Sequence, residues 1–129
     1  MELTDEEFDR LISKAMDELP QEYIKGLDNV VILYADDPDE YQIQKSGLRE
    51  DNILLGLYEG IPLTKRGSNY SFVLPDKITL FKHSMMMVAT NPQQLYEQIK
   101  RTLWHEIAHY YGLDHDRIHS LERGHGMIG

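Results

Sequence analysis

Apolar residues recur at helical spacing through the first twenty positions. Phe8, Leu11, Ile12, Ala15, Met16 and Leu19 share one face of a helix with about 3.6 residues per turn. Ahead of them Thr4-Asp5-Glu6-Glu7 forms a capping-box pattern, in which Thr4 caps the helix and Glu7 reaches back to it. The pattern predicts an amphipathic helix that stops near Pro20, then a short second helical turn through Ile24 and Leu27. Residues 29–34 (NVVILY) are apolar and β-branched almost throughout, which predicts a buried strand rather than a half-exposed one. Residues 35–52 are polar and acidic around Pro38 and read as a loop. Its carboxylates, Asp36, Asp37, Asp39 and Glu40, read as a solvated acidic surface rather than a cation site. Residues 53–58 (ILLGLY) predict a second strand closed by Glu59 and Gly60. Residues 65–71 predict a loop, and residues 77–82 (KITLFK) a third strand with Ile78 and Leu80 on one face and Phe81 on the other. Residues 83–89, with Met85, Met86 and Met87, fit helix and strand equally and suit adaptable core filling. The last long helix starts at Asn91, with Pro92 in its first turn and Gln94 completing a capping box. Leu95, Ile99, Leu103 and Ile107 give it a core face, and Gly112 ends it, because glycine adopts the left-handed conformation without strain. Residues 122–129 read as a loose tail.

Composition narrows the class. A chain of 129 residues fits one domain, residues 1–129, and 41 % hydrophobic with 27 % charged residues is an ordinary globular balance that buries one modest core. No apolar run approaches the roughly 18 residues a membrane span needs, and the acidic start lacks the basic and apolar regions of a signal peptide. The expected location is therefore cytoplasmic. With no cysteine, disulfides and thiolate metal sites are excluded, so any metal must bind through His, Asp or Glu. A net charge of −9 repels phosphate backbones and argues against a nucleic-acid partner, and against metal-dependent RNA cleavage with it.

The last helix carries His105-Glu106-Ile107-Ala108-His109, an H-E-x-x-H motif. At about 100° per residue, positions four apart differ by only about 40° around the axis, so both imidazoles point to one side and can hold one ion. Glu106 sits off that line yet borders the ion, where a general base can take a proton from a metal-bound water. The string continues through Gly112 to His115, giving H-E-x-x-H-x-x-G-x-x-H. The turn at Gly112 can bring His115 back as third ligand, with Asp114 and His119 as the alternatives. Three protein ligands and a water form the open site of a catalytic zinc, expected at one Zn2+ per chain, with manganese, nickel or iron as other candidates. His83, Tyr70, Arg117 and His119 are candidate oxyanion stabilisers by residue type, and His125 reads as part of the tail. The expected partner is a peptide or protein substrate, extended along a sheet edge. A module that binds metal or a partner without turnover is the competing reading, and Glu106 separates the two, because a purely structural site needs no glutamate between its histidines.

The chain resembles the bacterial minimal zincin-like metallopeptidases over residues 4–119. The resemblance rests on Leu19-Pro20, on residues 55–64 (LGLYEGIPLT), on residues 74–80 (LPDKITL) and on residues 105–117. It implies a compact α+β fold, with a small sheet of three to four strands packed on an N-terminal helix and the C-terminal H-E-x-x-H helix. It also implies that His105 and His109 ligate the metal, that Glu106 is the catalytic glutamate and that the protein is a zinc-dependent hydrolase of peptides. Similar proteins commonly carry Asp at the third-ligand position. Here it is His115, as in the larger metzincins, whose methionine turn is not assigned to Met127.

Overall fold

Thr4 begins the first helix, α1 (Asp5–Glu18), by the expected reciprocal pair: its hydroxyl accepts from the Glu7 amide, and the Glu7 carboxylate accepts from the Thr4 amide. The structure is a computed structural model that describes residues 2–47, 52–67, 74–113 and 117. A one-turn helix α2 (Gln21–Lys25) follows Pro20 and leads into strand β1 (Val30–Ala35). Helix α3 (Glu40–Ser46), strand β2 (Gly56–Glu59), a single 3-10 turn (Leu63–Lys65), strand β3 (Asp76–Phe81), helix α4 (Lys82–Val88) and helix α5 (Pro92–Tyr110) complete the described chain.

The three strands form one sheet in the order β1-β3-β2. β1 runs parallel to β3, with Ile32 opposite Ile78, and β2 runs antiparallel to it, with Tyr58 opposite Ile78. Ile78 and Leu80 turn to the same face, where α1 and α5 pack. Phe8, Ile12 and Ala15 of α1 meet Leu95, Ile99, Leu103 and Ile107 of α5 there in the main core. The opposite face carries a second, small cluster of Leu54, Leu57 and Phe81, against which Ile43 of α3 packs. The fold is α+β, a three-stranded sheet with an N-terminal helix and the H-E-x-x-H helix packed together on one face, and no helix among the described residues is long and apolar enough to cross a membrane.

Five elements depart from the sequence pattern. β1 is not buried on both sides: Val31 and Leu33 are 37 % and 43 % exposed, because α3 shields only the Phe81 end of the outer face. Within residues 35–52, read as a loop, Asp39 and Gln42 form a capping box and start α3, which Gly47 ends with a φ of 74°. β2 is shorter than residues 53–58, because Ile53 and Leu54 leave the ladder and only the Leu55 carbonyl still accepts from Phe81. Lys82 begins α4 rather than ending the third strand, and α4 settles the methionine run, with Met85 in the core and Met87 facing solvent. At the start of α5, Asn91 accepts from the Gln94 amide at 2.9 Å, but the Gln94 side chain reaches back to the Thr90 amide.

Candidate metal centre

The last turns of α5 bring His105, Glu106 and His109 together. One ligand atom from each lies within 4.8 Å of the others. The two imidazoles are half-buried, stand 4.7 Å apart between ring centres and cross at 83°. Glu106 is buried, lying on the side of the helix that also carries the core residues Leu103 and Ile107. Two imidazoles with a carboxylate beside them and no thiolate suit zinc, a cation of borderline softness. Among the described residues no other group of His, Asp and Glu comes this close to a common centre.

A glycine terminates the helix as predicted. Gly112 has a φ of 75°, its amide donates to the His109 carbonyl at 3.0 Å, and the Leu113 amide donates to the Ala108 carbonyl at 3.1 Å. This is the six-to-one and five-to-two bonding of a Schellman motif, and it turns the chain back. A Cβ at Gly112 would lie 2.4 Å from the Thr64 hydroxyl oxygen, so the turn also fits only glycine by space. His115, with its alternatives Asp114 and His119, lies outside the described residues, as do Tyr70, His125 and Met127. Arg117 is exposed. His83 is not at the centre: it pairs with Asp37 at 3.1 Å and lines a separate hollow with Glu7 and Lys82.

What the sequence did not announce is the side of the centre built by β2. Gly56 lets the strand press on α5, since a Cβ there would come within 2.7 Å of the Thr102 methyl. Two residues on, the Tyr58 amide donates to Glu106 Oε1 at 2.9 Å. Burial raises the Glu106 carboxyl from 4.5 to about 7, and the Tyr58 hydrogen bond opposes that rise in part. Behind the strand, the Tyr58 hydroxyl donates to Asp76 at 2.5 Å, and Arg66 meets the same carboxylate oxygen at 2.7 Å. The Arg66 guanidinium also lies 5.1 Å over the Tyr110 ring and donates to the Asp28 carbonyl. Burial, with the Asp76 carboxylate beside it, holds the Tyr58 hydroxyl protonated far above the usual phenol range.

Between α5 and the entry to β2 lies an open cleft of about 440 Å³. Ile53, Leu54 and Leu57 form its apolar side, Gln98, Arg101 and Thr102 continue the helical side, and His105, Glu106 and His109 close its end.

An H-E-x-x-H helix laid beside the edge of a small mixed sheet places the protein in the zincin class. The sequence profile of the zincin-like metallopeptidases matches residues 27–125, and the chain belongs to that family. Its fold is similar to the solved structure of a conserved hypothetical protein from T. thermophilus, with a TM-score of 0.55 and 24 % identity over 84 % of this chain and 94 % of that one. No curated protein matches the chain.

Proposed function

We propose that the protein is a zinc-dependent hydrolase of peptide bonds in which His105 and His109, with His115, hold the metal and Glu106 is the general base. The observation that carries this reading is the approach of two imidazoles and a buried glutamate at the end of a cleft beside a strand edge. Zinc, when bound, supplies a Lewis acid that polarises a carbonyl and acidifies water. Glu106 then accepts a proton from the attacking water and delivers it to the leaving amine. Burial strengthens its hold on that proton, and the Tyr58 amide fixes one of its oxygens, so the base meets the substrate already oriented.

The substrate is a peptide or protein segment added to the free edge of β2. The bond from Phe81 to the Leu55 carbonyl sets which residues face β3, so the backbone groups of Gly56 and Tyr58 turn outward, and Tyr58 donates to α5 accordingly. An extended chain can pair with the outward groups of Gly56 and with the Tyr58 carbonyl, the Tyr58 amide being held by Glu106, while its side chains enter the apolar side of the cleft. With a net charge of −9, the surface disfavours a nucleic-acid partner.

The test is cleavage of a peptide library by the zinc-loaded chain. The expected result is a chelator-sensitive activity that falls by roughly 100-fold to 10,000-fold in Glu106→Gln, with zinc still bound in the variant. Zinc-loaded wild type that cuts nothing would make the metal-binding module the better reading.

A further inference from the structure

We propose that Arg101 selects peptides bearing a carboxylate on the C-terminal side of the bond to be cut, supplied by an acidic side chain or by the chain terminus. The inference rests on the peptidase reading above and specifies its substrate.

Arg101 precedes His105 by four residues, so it stands one turn back on the same side of α5, and it lines the same cleft. It is the only Lys or Arg among the described residues of that lining. Its natural intrahelical partner would be Glu97, four residues earlier, since a Glu-to-Arg pair at that spacing is favourable. Glu97 instead accepts from the Gln93 side chain at 3.2 Å, and no carboxylate among the described residues pairs with Arg101. Three other cations beside this sheet are committed: Arg66 to Asp76, Lys82 to Asp5, and Lys45 to Glu59; Lys77 of β3 does not line the cleft. In a chain of net charge −9, an anionic peptide is repelled at long range. Its recognition must therefore come from direct contact, which a planar guanidinium makes to a carboxylate with two parallel hydrogen bonds.

The side of the cut follows from strand direction for a peptide paired antiparallel to β2, the more stable of the two pairings. Gly56 packs on Thr102 and Tyr58 bonds to Glu106, so β2 and α5 run the same way. A peptide added antiparallel to β2 passes the metal centre and then runs back toward Thr102 and Arg101, past Leu54 and Ile53. The residues reaching Arg101 are those after the cut. The four residues from Arg101 to His105 rise about 6 Å, and an arginine side chain extends about as far again; an extended chain advances about 3.3 Å per residue. The carboxylate therefore belongs about two to four residues beyond the cut, with apolar residues in between.

The experiment uses the zinc-loaded full chain and matched peptides. One arm replaces Asp or Glu by Asn or Gln at each position after the cut, and the other amidates the C-terminus. The expected result is a kcat/KM ratio of roughly tenfold or more favouring the carboxylate, the size of a charge-assisted hydrogen bond. The ratio collapses toward one in Arg101→Gln, and Arg101→Glu favours Lys at that position instead. The arm in which wild type loses rate identifies the source of the carboxylate. A wild-type ratio near one, or a ratio that survives in Arg101→Gln, overturns the proposal while leaving the peptidase reading intact. If no peptide is cut, the peptidase reading falls, and calorimetry on the same peptides decides the proposal: tighter binding of the acidic member, lost in Arg101→Gln, supports it, and equal binding overturns it.

Discussion

Glu106 keeps 8 % of its surface exposed, and its carboxyl is raised to about 7 by that burial. In the metal-free protein this sets the direction of a pH effect. Below about pH 4.5 the folded and unfolded chains both carry the proton, and the group is neutral to stability. As pH rises, the unfolded chain ionises first, so folding loses about 1.4 kcal/mol per pH unit until the folded carboxyl also ionises near 7. Metal-free wild type should therefore lose on the order of 3 kcal/mol of this contribution between pH 4.5 and 7, and Glu106→Gln should be the more stable protein at pH 8. Denaturant titrations of both proteins across that range check it, and parallel profiles would contradict the burial account. At this scale the motif was legible and its surroundings were not. Spacing alone places two imidazoles on one side of a helix, whereas the amide that meets Glu106 belongs to Tyr58, 48 residues earlier, and no local pattern encodes that contact.

Elements with chemical punctuation were the legible ones. Thr4 and Asn91 begin helices where the caps predict, and Gly112 ends α5. The same punctuation at Asp39 and Gln42 was present in the sequence, but a seven-residue helix offers too few turns to show a period, and acidity suggested a loop. β1 is half-exposed despite its apolar run, because side-chain chemistry does not say which face of an edge strand its neighbours leave open. The turn at Gly112 yields a prediction of its own. Alanine there meets the cost of a left-handed backbone, about 1–2 kcal/mol, together with the clash against Thr64. Gly112→Ala should lower stability by about 1–3 kcal/mol in urea, and adding Thr64→Ala should recover only the steric share. A double variant as stable as wild type would show that the left-handed turn carries no cost.

Across the whole molecule, one buried carboxylate joins pieces that are far apart in sequence. Asp76 on β3 receives Tyr58 from β2 and Arg66 from the segment after the 3-10 turn, and Arg66 in turn covers Tyr110 of α5 and reaches Asp28 ahead of β1. Arg66 fell in a stretch read as loop and Asp76 just outside the predicted third strand, since a single buried ion pair leaves no periodic trace. Asp76→Asn removes the nearer and buried of the two carboxylates paired with Arg66, leaving the exposed Asp28 carboxylate at 4.0 Å, and should cost about 3 kcal/mol. A loss below about 1 kcal/mol by denaturant unfolding would mean that water reaches and solvates that charge. These contacts hold the β2 edge against the helix that carries the two imidazoles. Whether that helix holds a metal is most directly measured by elemental mass spectrometry, on wild type and His109→Ala purified without chelator or metal-affinity tag. Near one zinc per wild-type chain and little in the variant is the predicted result. No zinc in wild type after zinc is supplied, or equal zinc in both proteins, would contradict the assignment of the centre.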